Sequence, residues 1–265
     1  MTQIRLSASS YSNTAPLVWS FLYGAQKGMY ELIMDNAPAR SAELMSQGQV
    51  TAALVPVIEF QRIPDLAMIP DVCVGASGRV ESVCLVTDGR ELADVSAVAL
   101  DTSSRTSATL TRLIFQEFLD TTPDYRVARP DLEMMLAESD CALLIGDPAL
   151  TVDETKYRKF DLAAEWHSRT GLGFIFAVWM THISNTDLVR TVDFKAARDE
   201  GVAHIEDIIA NYEDRIQMDR ESFRQYLSQT IRYQTNEEMV AGMELYFALA
   251  QKHGITDAMR EPTFI

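Results

Sequence analysis

The sequence predicts a two-lobed α/β protein whose central cleft binds a small anion. Short apolar runs such as residues 141–145 and 174–180 alternate with helix-like segments, a pattern typical of parallel strands covered by helices on both faces. The alternation begins again after a first block of strands, and the end of the chain is helical. We therefore predict lobe I at residues 1–88 plus 183–265, and lobe II at residues 89–182.

The first strand-to-helix turn contains Ser12, Asn13 and Thr14, between an extended run at residues 4–9 and a helix that opens at Pro16. Small polar residues cap helices, and proline suits the first helical turn because its missing N–H would have no partner there. The free N–H groups and the positive dipole end of a helix also attract anions. The turn therefore either caps a helix or binds an anionic ligand.

Two further turns repeat this arrangement. In lobe I a short helix opens at Ser41, and in lobe II an apolar strand leads into Ser104, Arg105, Thr106 and Ser107. This last turn has more hydroxyls than one helix cap requires, and it also has an arginine. We therefore interpret it as an anion-binding turn, with plain helix capping as the alternative. Because ligands of open α/β sheets lie beyond the carboxyl ends of the strands, we expect these turns to face each other across the cleft.

Apolar runs bounded by glycine, proline or capping residues predict the other elements. In lobe I these are strands at residues 30–34, 50–55, 72–74 and 80–86, a glycine turn at 75–78, and helices at 40–47 and 57–62. In lobe II they are strands at residues 96–100, 125–127, 141–145 and 174–180, and a helix at 161–168. Three helices that return to lobe I are expected at residues 188–212, 219–232 and 236–252.

Two polar residues stand out beside these strands. Ser82 is expected on the buried face of strand 80–86, either as a satisfied core serine or as a ligand contact, with Glu81 on the solvent face. Asp147 follows strand 141–145 at a carboxyl end, and it is either a helix cap, or a general base or hydrogen-bond acceptor in the cleft. Residues 174–179 are interpreted as core, with an aromatic wall of the cleft as the alternative.

Composition excludes several classes of function. The formal net charge of −15 argues against nucleic acid or an anionic membrane as a partner, since both require positive charge. The chain starts without a signal-like segment and has no apolar run long enough to span a membrane, so we expect a cytoplasmic protein. Cys73, Cys84 and Cys141 lie in apolar runs and the histidines are scattered, so we expect reduced cysteines and no metal site.

Six motifs in a fixed order carry a resemblance that goes further. They are Ser12-Asn13-Thr14-x-Pro16-Leu17, Ala53-Leu54-Val55-Pro56-Val57, Gly78-Arg79-Val80-x-Ser82-Val83, Ser104-Arg105-Thr106-Ser107, Leu144-Ile145-Gly146-Asp147-x-Ala149-Leu150 and Thr170-Gly171-Leu172-x-Phe174. Together they resemble the chorismate dehydratase family of the futalosine route to menaquinone, over nearly the whole chain. Gly173 departs from the family pattern, which usually has proline before the phenylalanine, and we expect this change to alter the crossover loop but not the site.

The resemblance implies a fold like that of the type II periplasmic binding proteins, with a helical C-terminal tail. It also implies conversion of chorismate to 3-[(1-carboxyvinyl)oxy]benzoate and water, a carbon–oxygen lyase reaction without metal or cofactor. The expected partner is the dianionic small molecule chorismate, with neither nucleic acid nor membrane, and the protein is expected to be a monomer or homodimer.

The expected site combines family residues with the polar turns. Asn13 and Ser82 match residues implicated in the family's active site, and Asp147 is one candidate for the base, the substrate's own enolpyruvyl carboxylate being the other. Thr106 and Ser107 are expected to hold one carboxylate. The full set of expected substrate-binding residues is Ser12, Thr14, Ser41, Val55, Arg79, Ser104, Thr106 and Ser107.

Two rival functions are weighed against this one. The sister enzyme that releases 1,4-dihydroxy-6-naphthoate shares the fold, but it resembles a different motif set with a histidine where this chain has Asp147. A solute-binding or ligand-sensing protein would bind chorismate and return it unchanged. Such proteins usually carry a signal peptide or a DNA-binding domain, and the sequence contains neither signal.

Overall fold

A computed structural model describes residues 3–265 and contains two five-stranded sheets with helices packed against them. The strands are β1 Arg5–Ser9, β2 Glu31–Asp35, β3 Ala52–Pro56, β4 Leu66–Ala76, β5 Val83–Thr87, β6 Ala97–Asp101, β7 Asp124–Ala128, β8 Cys141–Ile145, β9 Arg158–Asp161 and β10 Phe174–His182. The helices are α1 Ala15–Leu22, α2 Pro38–Ser46, α3 Glu59–Arg62, α4 Thr106–Leu113, α5 Leu132–Glu138, α6 Asp147–Leu150, α7 Leu162–Thr170, α8 Thr186–Val189, α9 Phe194–Ala203, α10 Ile205–Tyr212, α11 Arg220–Gln225 and α12 Glu237–Lys252.

Each sheet is mixed, not wholly parallel as predicted. The first has the order β2-β1-β3-β10-β4 and the second the order β7-β6-β8-β5-β9. Strands β1 and β6 are parallel to their neighbours, whereas β10 and β5 run antiparallel to the strands on either side. The antiparallel strands are the two that enter a sheet from the other lobe. Both strands begin at the cleft and run away from it. The strands beside them run toward the cleft, so the carboxyl ends of those strands face it.

Sheet membership puts both crossings between lobes one strand earlier than the predicted boundaries. Strand β5 pairs with β8 and β9 in the second sheet, although residues 1–88 were assigned to lobe I. Strand β10 pairs with β3 and β4 in the first sheet, although residues 89–182 were assigned to lobe II. The reason is that a wholly buried apolar strand has the same sequence pattern in either sheet. Hereafter lobe I is residues 3–76 plus 174–265, and lobe II is residues 83–173.

The C-terminal helices join the lobes. The predicted helix 188–212 is interrupted and forms α8, α9 and α10, and the predicted helix 219–232 is α11 followed by a π-helical turn at Tyr226–Thr230. Helix α12 packs on β10 of lobe I and on α4 of lobe II. At this contact Gly242 approaches Gly173 so closely that a Cβ at residue 242 would lie 2.0 Å from the Gly173 carbonyl oxygen. The crossover loop and α12 therefore pack backbone to backbone.

One large apolar core extends through both lobes, and a smaller apolar cluster lies within lobe II. Trp166 of lobe II is fully buried, and its ring packs edge-on against Phe174 and Tyr246 of lobe I. Burial of rings of this size contributes a few kcal/mol each, about 1.5–3 on the area scale. Within residues 3–265, no helix combines the length and the apolar character that crossing a membrane requires. The predicted two-lobed α/β fold with a helical tail is confirmed.

Candidate active site

A cavity of about 520 Å³ lies between the two lobes. The carboxyl ends of β1 and β3 form its lobe I side, and the ends of β6 and β8 form its lobe II side. The lining residues are Ser9, Tyr11, Asn13, Thr14, Pro38, Leu54, Pro56, Val74, Val83, Ser103, Ser104, Arg105, Thr106, Ser107, Ile145, Gly146, Phe176 and Ala177.

The lobe II wall is the turn between β6 and α4. Arg105 lines the cavity, and its guanidinium lies 3.8 Å from the nearest carboxylate oxygens of Glu43 and Glu59. These are loose ion pairs, longer than the usual charge-assisted hydrogen bond. The Arg105 Nε and the Ser104 Oγ are buried and have no hydrogen-bond partner. Buried polar atoms without partners are rare and costly, and here they border a cavity with an arginine and a helix N-terminus.

Thr106 connects this wall to lobe I. Its Oγ accepts a hydrogen bond from the Ile58 backbone N–H at 3.3 Å, and its carbonyl accepts one from the Tyr246 hydroxyl at 2.9 Å. Because the Thr106 hydroxyl acts as acceptor toward the protein, its own proton is free to donate to a ligand. Ser107 lies in the first turn of α4, where backbone N–H groups have no intrahelical partner. This wall therefore presents donors and positive charge to the cavity.

The lobe I wall is the turn between β1 and α1, and its polar groups are already bonded within the protein. The Thr14 hydroxyl lies 2.6 Å from the Ser9 carbonyl oxygen and 2.8 Å from that of Tyr11, which closes the turn. The Asn13 amide Nδ2 donates to the Ser82 Oγ at 3.3 Å. This last bond crosses from lobe I to the start of lobe II, so it orients the Asn13 side chain at the cavity.

Ser82 is fully buried and lies behind Asn13, outside the cavity lining. The prediction that it lies inside a strand with Glu81 on the opposite face is wrong, because β5 begins only at Val83. Residues 80–82 form a tight turn in which Glu81 has φ of 61°. A positive φ at a residue with a side chain interrupts the strand alternation on which the prediction depended.

Gly146, at the end of β8, fixes the position of this turn from lobe II. Its N–H donates to the Ser82 carbonyl at 2.7 Å. Its φ and ψ are 66° and −148°, a region open almost only to glycine, and a Cβ there would lie 2.7 Å from the Tyr11 ring. Tyr11 of lobe I therefore packs directly over Gly146 of lobe II.

Asp147 bonds across the lobes instead of lining the cavity. Its Oδ1 accepts hydrogen bonds from the Ser12 N–H at 3.0 Å and from the Ser12 hydroxyl at 2.6 Å. Burial raises the pKa of this carboxyl above its ordinary value, while the Ser12 hydrogen bonds and the charge of Arg215 act in the opposite direction. Gly146, not Asp147, occupies the N-cap position of α6. Among the roles that the sequence left open for Asp147, the geometry favours hydrogen-bond acceptor over helix cap and general base.

Three predicted binding residues lie away from the cavity. The buried Ser41 hydroxyl bonds to that of Ser7 at 2.9 Å, and Arg79 is exposed on the loop before β5. Val55 lies on β3 between Leu54 and Pro56, which both line the cavity, so strand alternation turns its side chain the other way. Ser12, Ser82 and Asp147 lie one layer behind the cavity, and the predicted residues that line it are Asn13, Thr14, Ser104, Thr106 and Ser107.

Sequence reasoning missed several lining residues. Tyr11 belongs to the first polar turn but was not selected, and Arg105 was noted in the third turn but left out of the expected substrate-binding set. Burial raises the pKa of Tyr11, and a hydrogen bond of 3.3 Å with Ser103 partly offsets this. Phe176 supplies the aromatic wall that the sequence left as an alternative. The aspartates and glutamates of the protein are absent from the part of the lining that lies within the described residues, as are its histidines, lysines and cysteines.

Across residues 3–265, no three histidine, cysteine or carboxylate side chains come together in a way that could ligate a metal ion. The three cysteines are buried and unbridged. The polar residues of the site are thus hydroxyls, one amide and one guanidinium.

Comparison with known proteins agrees with this geometry. The family model described as menaquinone biosynthesis matches residues 4–252. The chain belongs to the menaquinone biosynthesis family. A relative in this family is the chorismate dehydratase of Thermus thermophilus, 32% identical over 222 residues that cover 77% of this chain and 79% of the relative. The resemblance inferred from the six sequence motifs is confirmed.

Solved structures share the fold of this menaquinone biosynthesis family member at low identity. A protein of Archaeoglobus fulgidus aligns with a TM-score of 0.74 and 14% identity over 96% of this chain and 98% of its own. A Candida albicans protein described as having the generic periplasmic binding protein fold aligns with a TM-score of 0.68 and 11% identity. The alignment covers 98% of this chain and 92% of the Candida protein. The periplasmic aliphatic sulphonate binding protein of Escherichia coli aligns with a TM-score of 0.61 and 15% identity. The alignment covers 100% of this chain and 94% of the Escherichia coli protein. The expected periplasmic-binding-protein-like fold is confirmed.

Proposed function

We propose that this protein is a chorismate dehydratase, a hydro-lyase that converts chorismate to 3-[(1-carboxyvinyl)oxy]benzoate and water without a cofactor. The observation that carries the proposal is an interlobe cavity with anion-binding groups in a chain 32% identical to a chorismate dehydratase. Chorismate is a small dianion, and a protein with a formal charge of −15 must attract it by local groups. The lobe II wall supplies such groups.

One carboxylate of chorismate binds the lobe II wall. The Arg105 guanidinium, the Thr106 hydroxyl and the first N–H groups of α4 are donors, and the buried Ser104 Oγ and Arg105 Nε have unused hydrogen-bonding capacity. Hydrogen bonds to an ionised group are stronger than neutral ones. The ring carboxylate is the better occupant, because the enolpyruvyl carboxylate must stay free to act as the base.

The substrate's own enolpyruvyl carboxylate acts as the base. No carboxylate, imidazole or amine of the described residues lines the cavity, and the Oδ1 of Asp147 is bonded to Ser12 behind it. The carboxylate takes the proton from C3, and the electron pair of that bond spreads into the ring carboxylate. The C4–O bond then breaks, and the leaving hydroxide takes the proton to form water. Formation of an aromatic ring drives the reaction, so the protein mainly orients the groups.

Asn13 holds the reacting face of the substrate. Its amide is oriented by the Ser82 hydroxyl at 3.3 Å, and the remaining amide N–H and carbonyl can bond to the C4 hydroxyl as it departs. A donor placed where charge develops is worth about 100- to 1,000-fold in kcat. Ser82 acts through Asn13, since it does not itself reach the cavity.

The test is to incubate the purified protein with chorismate and to follow products by chromatography and mass spectrometry. We expect a species lighter by one water with an aromatic ultraviolet spectrum, and its loss in N13A. Chorismate that binds but is recovered intact would make the protein a binding or sensing protein. Chorismate that neither binds nor reacts would overturn the proposal and direct the assay to the reaction that releases 1,4-dihydroxy-6-naphthoate.

A further inference from the structure

The turn that carries Ser82 is strained. The Ser82 N–H donates to the Val80 carbonyl at 2.7 Å, which closes a γ-turn around Glu81, whose φ is 61°. A γ-turn with a positive φ at its centre is the rarer and more strained of the two forms. Glu81 has a Cβ and bears the full steric cost of this conformation, so surrounding groups must hold it in place.

Those groups converge on one carboxylate, that of Asp161 at the end of β9. Its Oδ2 accepts from the Glu81 N–H at 2.6 Å and from the Val80 N–H at 3.1 Å. Its Oδ1 accepts from the N–H groups of Ala163 and Ala164 at 2.9 and 3.0 Å, and so caps helix α7. One buried side chain thus performs two tasks: Oδ2 holds the turn, while Oδ1 caps α7 and also lies 3.3 Å from the Val80 N–H.

The turn connects this carboxylate to the candidate site. The Ser82 carbonyl accepts from the Gly146 N–H at 2.7 Å, and the Ser82 Oγ accepts from the Asn13 amide at 3.3 Å. If residues 80–82 relaxed to an ordinary extended conformation, the Ser82 hydroxyl would leave the position in which it meets Asn13. Displacements of about 1 Å in a positioning group can cost roughly 100-fold in rate.

We propose that Asp161 is a positioning residue that holds residues 80–82 in the strained turn and thereby sets the Ser82 hydroxyl against Asn13 across the lobes. Asp161 does not line the cavity and has no contact with substrate in this scheme. The expected effect of Asp161 on kcat rests on the proposed dehydratase function, whereas its expected effect on the turn at residues 80–82 does not.

The D161N variant separates the two tasks. The remaining oxygen of the introduced amide can still cap α7, since asparagine caps helices as well as aspartate does, but an NH₂ group would face the N–H groups of Val80 and Glu81. We expect kcat to fall about 10- to 100-fold with KM changed less than about threefold. The matched control is D131N, because Asp131 caps α5 in the same lobe by accepting from the Met134 N–H at 3.1 Å and holds no turn. A D161N enzyme with kcat within twofold of the D131N value would overturn the proposal.

A rescue experiment distinguishes positioning from general loss of stability. Glycine adopts positive φ without steric cost, so in E81G the turn should need no carboxylate to hold it. We expect D161N/E81G to recover most of the kcat that D161N loses. A double variant as slow as D161N would overturn the proposal. If D161N alone does not fold, E81G is compared with D161N/E81G. A kcat that differs by more than about tenfold between these two variants would overturn the proposal.

Crystal structures keep this inference separate from the function. In D161N we expect residue 81 to leave the positive-φ region and the Ser82 Oγ to separate from the Asn13 amide, whether or not the wild-type protein dehydrates chorismate. A D161N structure with both features unchanged would overturn the positioning role. A wild-type protein that leaves chorismate intact would overturn only the proposed function.

Discussion

The two walls of the cavity are built from similar sequences but differ in how their polar atoms are used. In lobe I, the Thr14 hydroxyl and the Asn13 amide are bonded to other protein groups. In lobe II, the Ser104 Oγ and the Arg105 Nε are buried without partners. Both turns follow a strand, open a helix and contain small polar residues, so sequence alone ranks them as equivalent.

The difference indicates a division of labour. A wall whose groups are already bonded is rigid before the substrate arrives, and such preorganisation suits groups that must be accurately placed in the transition state. A wall with unsatisfied donors gains hydrogen bonds only when an anion binds, so it contributes mainly to affinity. We therefore expect substitutions in the lobe I wall to lower kcat and substitutions in the lobe II wall to raise KM.

The largest effect is expected in the lobe I wall, for N13A. Removal of the amide deletes the donor proposed to bind the departing hydroxyl and leaves the Ser82 hydroxyl with only the Val80 carbonyl as a partner, at 3.4 Å. We expect kcat to fall about 100- to 1,000-fold with KM little changed, measured by steady-state formation of the aromatic product. The control is N36A, since Asn36 is exposed and its side chain contacts only Ser10 at 3.3 Å among the described hydrogen bonds. A large rise in KM with normal kcat would reverse the roles assigned to the walls.

The next effect is expected in the lobe II wall, for R105A. Loss of the guanidinium removes a charged donor to the substrate carboxylate, worth about 1.5–3 kcal/mol or roughly 10- to 150-fold in kcat/KM. The change should come mostly from KM. The matched control is R79A, because Arg79 was predicted to bind substrate but is exposed and outside the cavity. Equal losses in the two variants would mean that general positive charge, not the position of Arg105, attracts chorismate.

The fold was predictable because its signals are local. Apolar runs gave strand β8 at its observed limits, Cys141–Ile145, and a capping residue gave the start of α12 within one or two residues. The turns after β1 and β6 were found because they combine cap-type residues with a following apolar helix. Strand direction and the crossings between lobes were not predictable in this way, since they depend on which strands pair across long stretches of chain.

The site was predictable only in part, for the same reason. Residues on the two cavity turns were found, but Val55 was one position out of register and Ser82 was placed in a strand. Whether a hydroxyl is free for a ligand depends on its neighbours in space, and nothing in the sequence reveals that Ser41 bonds to Ser7 or that Asp147 bonds to Ser12. The strained turn at Glu81 likewise has no glycine to indicate it.

The turn between β2 and α2, which carries Ser41, sharpens the comparison because Ser41 does not line the cavity. In S41A the Ser7 hydroxyl loses its 2.9 Å partner in a fully buried setting. We expect the free energy of unfolding to fall by about 1–2 kcal/mol, measured by urea denaturation. Turnover of chorismate should stay within about twofold, as is usual for substitutions that do not reach a site. A loss of kcat/KM comparable to that of R105A, with stability unchanged, would show that the turn carrying Ser41 also binds substrate.

Only a small kinetic effect is expected for D147N, at the contact between the two walls. An asparagine oxygen can accept both hydrogen bonds from Ser12, so the lobes should still meet, and turnover should remain within about threefold. A general base would instead be worth about 100- to 10,000-fold. A loss of that size would make Asp147 the base and would overturn the substrate-assisted mechanism.

The same variant carries a pH signature. Burial raises the folded-state pKa of Asp147, so its protonated form stabilises the fold below the ordinary pKa of about 4, and this contribution is lost as pH rises through the raised folded-state pKa. Asparagine does not titrate. The free energy of unfolding of D147N should therefore increase relative to that of the wild type as the pH rises from about 4. A difference that shrinks as the pH rises would mean that Ser12 and Arg215 outweigh burial and that the carboxylate is held in its charged form between the lobes.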